Sequence, residues 1–322
     1  MKKMKKVDNA NNEEAAVSEI MDARKAYDNY AMSECLEHIK KARGFLINAE
    51  QSDSELFIAY FELLRVEFNA LEWLGRYAEA EGVAFEMLKE ADIHQNLTSR
   101  AFAYEKIGCA LNLIGKYQEA LDWHLKSLEI TKNLNNSLAL AACYNNLGIV
   151  TDSMGNYDEA LDWYLKSIEI SKSLNDIATL AGQYNNLGSV KRSMGKYEEA
   201  IDWLLKSLEI RTSLNDLVGL AHCFDSLGIV NDLMGKSEES INWHLKSLEI
   251  KKTLNDRVGI AICYNNLGIA TKSTGKYDEA TEWYLKSLEI SESLNDGVGL
   301  ARCYHNLENV KKLMRNNNDD LC

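Results

Sequence analysis

The chain has 322 residues, of which 46% are hydrophobic, which is enough for a sizeable core and excludes disorder over the whole length. It contains no proline and is rich in Leu, Ala, Glu, Lys and Ile, so the composition indicates an all-α protein. Its 36 basic residues are outnumbered by 49 acidic ones, giving a formal net charge of −13 that would repel a nucleic-acid backbone. We therefore expect no nucleic-acid partner.

Two features of the chain argue against export and membrane insertion. The basic start at residues 1–6 runs directly into polar residues 7–12, so the apolar core of a signal peptide is missing. No stretch approaches the run of about eighteen apolar residues that a membrane-spanning helix needs. We expect a soluble, cytoplasmic protein.

The first elements along the chain are the least regular. Residues 1–12 predict a disordered tail, and residues 13–96 predict degenerate helical hairpins. Residues 74–80 keep the phase of the array that follows, since Gly75 lies forty residues before Gly115. The preceding segment, residues 14–50, contains two amphipathic stretches with the following core positions: Tyr30, Leu36, Ile39 and Ala42.

Residues 97–296 repeat with a period of forty residues, in five units without insertion or deletion. The run Tyr-Asn-Asn-Leu-Gly begins at Tyr144 and returns at Tyr184 and Tyr264. Tryptophan recurs at one phase, in Trp123, Trp163, Trp203, Trp243 and Trp283. Such self-similarity predicts a stacked array of supersecondary units.

Each unit is predicted to be a helical hairpin. In the third unit, one helix runs from about Asp176 to Met194 and stops at Gly195, and the next stops near Asn215. Glycine suits the position after a helix because it adopts positive φ at little cost. The Asn-Asp pairs between units provide side-chain oxygens that can cap the next helix.

A second set of glycines lies inside the first helix of each unit, where each costs about 0.8 to 1 kcal/mol relative to alanine. This set is Gly148, Gly188, Gly228 and Gly268. A repeated cost needs a repeated reason, and we expect close helix crossing against small residues of the second helix. Those small residues are Ala160, Ala200 and Ala280.

Charges and cysteines also follow the period. Acidic and basic residues stand four positions apart in the favourable order and predict a solvated outer face, at Asp122 and Lys126, Asp162 and Lys166, Asp202 and Lys206, and Glu282 and Lys286. Four of the seven cysteines share one phase, at Cys143, Cys223, Cys263 and Cys303. Equivalent positions in stacked units lie too far apart for disulfides, so buried thiols are expected, and no cysteine or histidine pattern indicates a metal site.

The array ends in a helix without a partner. Residues 297–314 predict a capping helix, in which Glu308 and Arg315 replace the two repeated glycines. Residues 315–322 predict a disordered tail.

These repeats resemble the tetratricopeptide repeat family. Its pattern matches Leu147, Gly148 and Ala160, and Tyr144 and Tyr164 stand where the family has Trp and Phe. The chain departs from the pattern in three ways: Thr151 replaces a Tyr, Ser167 replaces a small Ala, and the closing Pro is absent. The forty-residue period resembles the subclass found in Pins-like adaptors. The resemblance implies a right-handed α-solenoid of about seven antiparallel hairpins plus the capping helix, with first helices lining a concave groove.

The resemblance also implies which side chains line that groove. Counting from the family pattern, they are Asn145, Ile149, Asp152, Asn185, Ser189, Arg192, Asp225, Ile229, Asp232, Asn265, Ile269, Lys272, Arg302, His305 and Lys312. These positions vary between units while the scaffold positions barely change, as expected of a recognition surface on a fixed frame. The asparagines can donate to and accept from a peptide backbone, although solvated asparagines or contacts with neighbouring helices explain them equally simply.

The sequence favours a non-enzymatic adaptor that binds an extended peptide segment of a partner protein, with no cofactor. No phosphate-binding, nucleophile-elbow or zinc-protease motif is present. Acidic residues in the middle units and basic ones at the C-terminal end predict a ligand with a basic or polar middle and an acidic end. A peptide-sensing regulator and the sensor part of a larger signalling protein are alternatives, and the similarity of the units is compatible with self-association.

Overall fold

A computed structural model describes residues 2–46, 54–294 and 296–319 of the chain. The described residues form fifteen α-helices, α1 to α15, at Lys2–Asp28, Met32–Leu46, Ser54–Trp73, Tyr77–Ile93, Leu97–Leu113, Tyr117–Asn133, Ser137–Ser153, Tyr157–Ser173, Ile177–Ser193, Tyr197–Ser213, Leu217–Leu233, Ser237–Thr253, Arg257–Ser273, Tyr277–Leu294 and Gly297–Asp319. No strand occurs in this part of the chain. The prediction of an all-α protein built as a helical-repeat solenoid is confirmed.

The helices fall into two compact units, one ending at Gly155 and the other beginning at Asn156. In the first unit, α1, α2 and α3 surround a core that includes Cys35, Ile39 and Leu63. Helices α3 to α7 of the same unit contribute to a second core around Phe68 and Met87. In the second unit, each helix packs on the next along the chain from α8 to α15. None of the described helices combines the length and apolar character needed to cross a bilayer.

Two consecutive residues set the start of the regular first helices. Asn175 adopts φ of 53°, in the left-handed region, and the following Asp176 caps α9 by accepting a hydrogen bond from the Thr179 N–H at 3.1 Å. The same arrangement recurs at the caps of α11 and α13, where the acceptors are Asp216 and Asp256. At the other end of the first helix, Gly195 has φ of 75°. The predicted boundary signals are therefore confirmed.

Close packing at the internal glycines is also confirmed. A methyl group added at Gly188 would lie 2.7 Å from Leu204 Cγ and 3.1 Å from the Ala200 carbonyl oxygen. At Gly108 and Gly228 the residues that fill this position are His124 and His244. These two histidines thus have a packing role.

A buried serine joins the two helices of most hairpins. Ser207 Oγ on α10 donates to the Ala181 carbonyl of α9 at 2.7 Å and lies 3.1 Å from Cys223 Sγ on α11. The same serine-to-carbonyl bond recurs at Ser127, Ser247 and Ser287. The residues that depart from the family pattern at this phase therefore connect helices within and between hairpins. The four repeat cysteines are buried and free, as expected.

The predicted outer charges are exposed to solvent, as expected. None of the four acid and lysine pairs comes within 4.0 Å among the described residues. Each lysine instead lies over the tryptophan three residues before it, as in Lys126 over Trp123 at 3.8 Å and Lys206 over Trp203 at 4.1 Å. An aromatic face on the same helix competes well here because exposed ion pairs contribute little.

Both chain ends are more helical than predicted. Helix α1 begins at Lys2, inside the segment 1–12 that the sequence assigned to a disordered tail. Helix α15 continues to Asp319 rather than ending at residue 314. Neither extension contains a proline or glycine, so no residue in it terminates the helix. The last predicted tail residues, 320–322, lie outside the described residues.

Candidate peptide-binding face

The candidate site in the second unit is a row of side chains on four first helices. Helices α9, α11, α13 and α15 contact one another in that order. We call the predicted groove residues on these helices the first-helix face: Asn185, Ser189, Arg192, Asp225, Ile229, Asp232, Asn265, Ile269, Lys272, Arg302, His305 and Lys312. Arg302, His305 and Lys312 are exposed, and most of the others are half-buried. The remaining predicted residues, Asn145, Ile149 and Asp152, lie half-buried on α7 of the first unit.

Asp225 differs from the prediction because its charge is already balanced. One carboxylate oxygen pairs with Lys251 Nζ, and the other lies 3.3 Å from His244 Nδ1 and 3.4 Å from Cys263 Sγ. Lys251 is buried and cannot turn to solvent without leaving the pair. Asp225 therefore joins α11, α12 and α13 instead of presenting a free negative charge.

The acidities in this cluster follow from its geometry. Burial alone would raise the pKa of Asp225, but the hydrogen bond to His244 and the charge of Lys251 lower it well below its usual range. Burial raises the pKa of the Cys263 thiol to about 12, and the charge of Asp225 adds to this effect. A thiol of that acidity stays protonated at neutral pH and is a poor nucleophile. The cluster is thus suited to structural rather than covalent chemistry.

Asn265 also differs from the prediction. It is only 2% exposed, and its Oδ1 accepts a hydrogen bond from Asn306 Nδ2 of α15 at 2.7 Å. The neighbouring-helix explanation of the repeated asparagines therefore holds at this position. Asn185, by contrast, is half-buried, and its Oδ1 has no donor in the described part of the chain.

Cations collect at the C-terminal end of the first-helix face. Lys272 of α13 and Lys312 of α15 occupy equivalent repeat positions forty residues apart, so they lie at the same level on contacting helices. Lys272 has no ion-pair partner among the described residues. Lys312 pairs with Glu308 of its own helix at 2.8 Å, in an exposed contact of the kind that contributes little.

One group of side chains has spacing compatible with a cation. The ligand atoms of Glu19, Asp22 and His38 all lie within 4.8 Å of one another. His38 Nδ1 is already 2.6 Å from Glu19 Oε2, so a hydrogen bond between α1 and α2 accounts for the group.

A signal for the Asp225 cluster is present in the sequence. The position of Lys251 carries Thr131, Ser171, Arg211 and Ser291 in the other units, and only the unit with Asp225 combines an acid with a basic residue there. In a stacked array, two unusual and opposite charges 26 residues apart indicate a pair, because the serine bonds show that this spacing brings the helices together.

Comparisons with known proteins agree with the architecture. A family model described as tetratricopeptide repeat matches residues 99–173, 177–253 and 256–320. The apo form of RapI is 16% identical, with a TM-score of 0.64 over 88% of this chain and 99% of that one. A Rap protein complexed with Competence and Sporulation Factor is 13% identical, with a TM-score of 0.60 over 94% and 99% of the two chains.

A third similar structure comes from Pyrococcus horikoshii. It is a signal-transduction ATPase with a tetratricopeptide repeat sensor, 16% identical, with a TM-score of 0.61 over 91% of this chain and 43% of that one. A comparison with curated proteins gave no match. At these identities the structural likeness concerns the fold alone.

Proposed function

Because this chain belongs to the tetratricopeptide repeat family, we propose that it is an adaptor whose first-helix face binds an extended, acidic segment of a partner protein. Family membership supports the protein-interaction role. The observation that carries the finer proposal is the pair of equivalent lysines, Lys272 and Lys312, on neighbouring helices.

The cations at the C-terminal end of the face favour an acidic rather than a basic ligand there. Asp225, which the sequence offered as a free acid, is neutralised by Lys251. Arg302 is exposed and has no ion-pair partner among the described residues, so it adds to the positive character of α15. Lys272 is half-buried and has no ion-pair partner in the described part of the chain, and such a cation attracts a carboxylate at little desolvation cost.

The geometry also suits an extended chain. Neighbouring helices pack at about 8 to 10 Å, and an extended peptide advances about 3.3 Å per residue, so every third ligand residue meets a new helix. Ile229 and Ile269 provide apolar contacts at adjacent positions of the face. Side chains that differ from helix to helix then discriminate between ligands.

A selection from a random peptide library displayed on phage tests this proposal. We expect enriched peptides to be acidic, and synthetic versions to bind the double variant K272E/K312E about tenfold or more weakly, because two attractions become repulsions. Fluorescence anisotropy measures the affinities, and circular dichroism checks that the variant folds.

A matched control uses the opposite side of the hairpins. Leu205 lies on the second helix α10 and is 45% exposed, so L205D should leave peptide binding unchanged. Selected peptides that bind wild type and K272E/K312E equally, or that lose binding in L205D instead, would contradict the proposal.

A further inference from the structure

A separate cavity of about 130 Å³ lies among α2, α3 and α4 in the first unit. Its walls include Leu46, Leu56, Phe57 and Tyr60, which are apolar over most of their surface, and the charged residue Arg43 also lines it. The His94 ring stacks on Phe57 with 4.2 Å between centroids. Cavities near 150 Å³ with such walls accept a group the size of benzene.

One wall residue of this cavity is a buried acid. Glu90 is 5% exposed, and its carboxylate makes no hydrogen bond or ion pair with any described residue. The carboxylate oxygens are not sealed from solvent, so they are open to a donor that enters the cavity. A donor or cation bound there would not compete with a partner from the described part of the chain.

The nearest guanidinium is fully engaged. Arg43 Nη2 donates to Glu67 at 2.6 Å and to Glu86 at 2.9 Å, while its Nη1 donates to Glu86 at 3.0 Å and to Tyr60 at 3.1 Å. The Arg43 guanidinium therefore already binds two carboxylates, those of Glu67 and Glu86, and Glu90 is a third.

The Tyr60 hydroxyl responds to the surrounding negative charge. Burial raises the pKa of Tyr60, the hydrogen bond to Glu86 raises it further, and the charge of Glu90 adds a smaller effect against the opposing charge of Arg43. Glu90 thus acts on a residue of the cavity wall, in surroundings with excess negative charge.

We propose that this cavity binds an organic ammonium group attached to one benzene-sized apolar group, with Glu90 as the counter-ion. The apolar walls take the ring or aliphatic group, and the ammonium donates a charge-assisted hydrogen bond to the carboxylate. A free small amine and the N-terminal residue of a peptide share this chemistry. The cavity lies in the first unit and shares no residue with the first-helix face, so either proposal can fail alone.

Isothermal titration calorimetry on the full chain tests the site with 2-phenylethylammonium as the probe. We expect the neutral analogue 2-phenylethanol to bind at least about tenfold more weakly, and E90Q to weaken ammonium binding by a similar factor, as for loss of a charge-assisted hydrogen bond. E90Q should keep the Tm, since the Glu90 side chain has no partner to lose in the described part of the chain. E119Q, at an exposed carboxylate on α6, is the matched control and should bind as wild type does.

Two further experiments distinguish a peptide terminus from a small amine as the ligand and test whether the ligand binds in this cavity. Binding of Phe-Gly-Gly amide that is lost on N-terminal acetylation would assign the site to a peptide terminus, and binding of the free amine alone would assign it to a small amine. L46F, which fills the cavity, should weaken both phenylethyl probes. Absence of ammonium binding, equal binding of the alcohol, or unchanged binding in E90Q would overturn the proposal.

Discussion

Gly188 and Gly82 both lie inside helices, yet alanine should have opposite effects at the two positions. At Gly188 the new methyl group would meet Leu204 Cγ at 2.7 Å, whereas nothing lies within 4 Å at Gly82. Alanine gains up to about 1 kcal/mol of helix propensity at either site, and overpacking costs about 1 to 3 kcal/mol. We expect G188A to lower the free energy of unfolding and G82A to raise it by about 0.5 to 1 kcal/mol.

Urea denaturation of both variants measures this difference. Gly82 is exposed on α4, so G82A measures the gain in helix propensity without a change in packing. An increase in stability for G188A equal to that for G82A would show that α9 and α10 do not approach closely at this glycine.

His124 should make the first unit sensitive to acid. Burial lowers its pKa to about 4, helped by the charge of Lys106, from an ordinary value of 6.5. The unfolded chain therefore takes up a proton first as the pH falls, and the folded state loses stability between pH 6.5 and 4. The loss should be on the order of 2 to 3 kcal/mol at pH 4, since each pKa unit corresponds to about 1.4 kcal/mol.

The chain itself offers the control for this effect. Leu204 fills the equivalent position against Gly188, so H124L keeps an apolar side chain at the site and removes the titrating group. Thermal unfolding at several pH values should show a smaller loss of Tm in H124L than in wild type between pH 6.5 and 4. Parallel curves for the two proteins would show that His124 is not held neutral.

At the scale of whole helices, the side-chain cap fixes where a first helix begins. Asp176 accepts from the Thr179 N–H at 3.1 Å, while Lys196, in the capping position of the second helix α10, makes no side-chain cap bond. D176A should cost about 1 kcal/mol in the free energy of unfolding. K196A should change the free energy of unfolding little. If chemical denaturation gave equal losses for D176A and K196A, the side-chain cap would not explain the loss in D176A.

The helices of the regular units were predictable because their signals are local. Gly195 and Asn215 mark the ends of α9 and α10 within a residue or two, since glycine and asparagine tolerate left-handed backbone conformations there. Both chain ends were harder, because α1 and α15 lack a comparable stop residue. Spacing along one helix puts both Asp202 and Trp203 within reach of Lys206, so only the structure shows that the lysine lies over the tryptophan.

The candidate face shows a different limit at the scale of the molecule. Counting along the repeat placed Lys272, Arg302 and Lys312 on first helices, but it could not show that Asp225 and Asn265 have internal partners. Those partners, Lys251 and Asn306, come from other helices, so only the packed structure identifies them. Repeat phase thus predicts where a side chain lies better than whether it is free to bind.

The repeat organisation also predicts how destabilisation spreads through the chain. In arrays of this kind each hairpin contacts its neighbours, so opening is local before it is global. A methyl group at Gly268 would lie 2.5 Å from Tyr284 Cε1, and G268A should therefore strain the hairpin of α13 and α14. Hydrogen exchange followed by mass spectrometry should show faster amide exchange in α13 to α15 and nearly unchanged exchange in α1 to α4. A uniform increase over all helices would mean that the chain opens as one cooperative body, and the nearest-neighbour description would then be wrong.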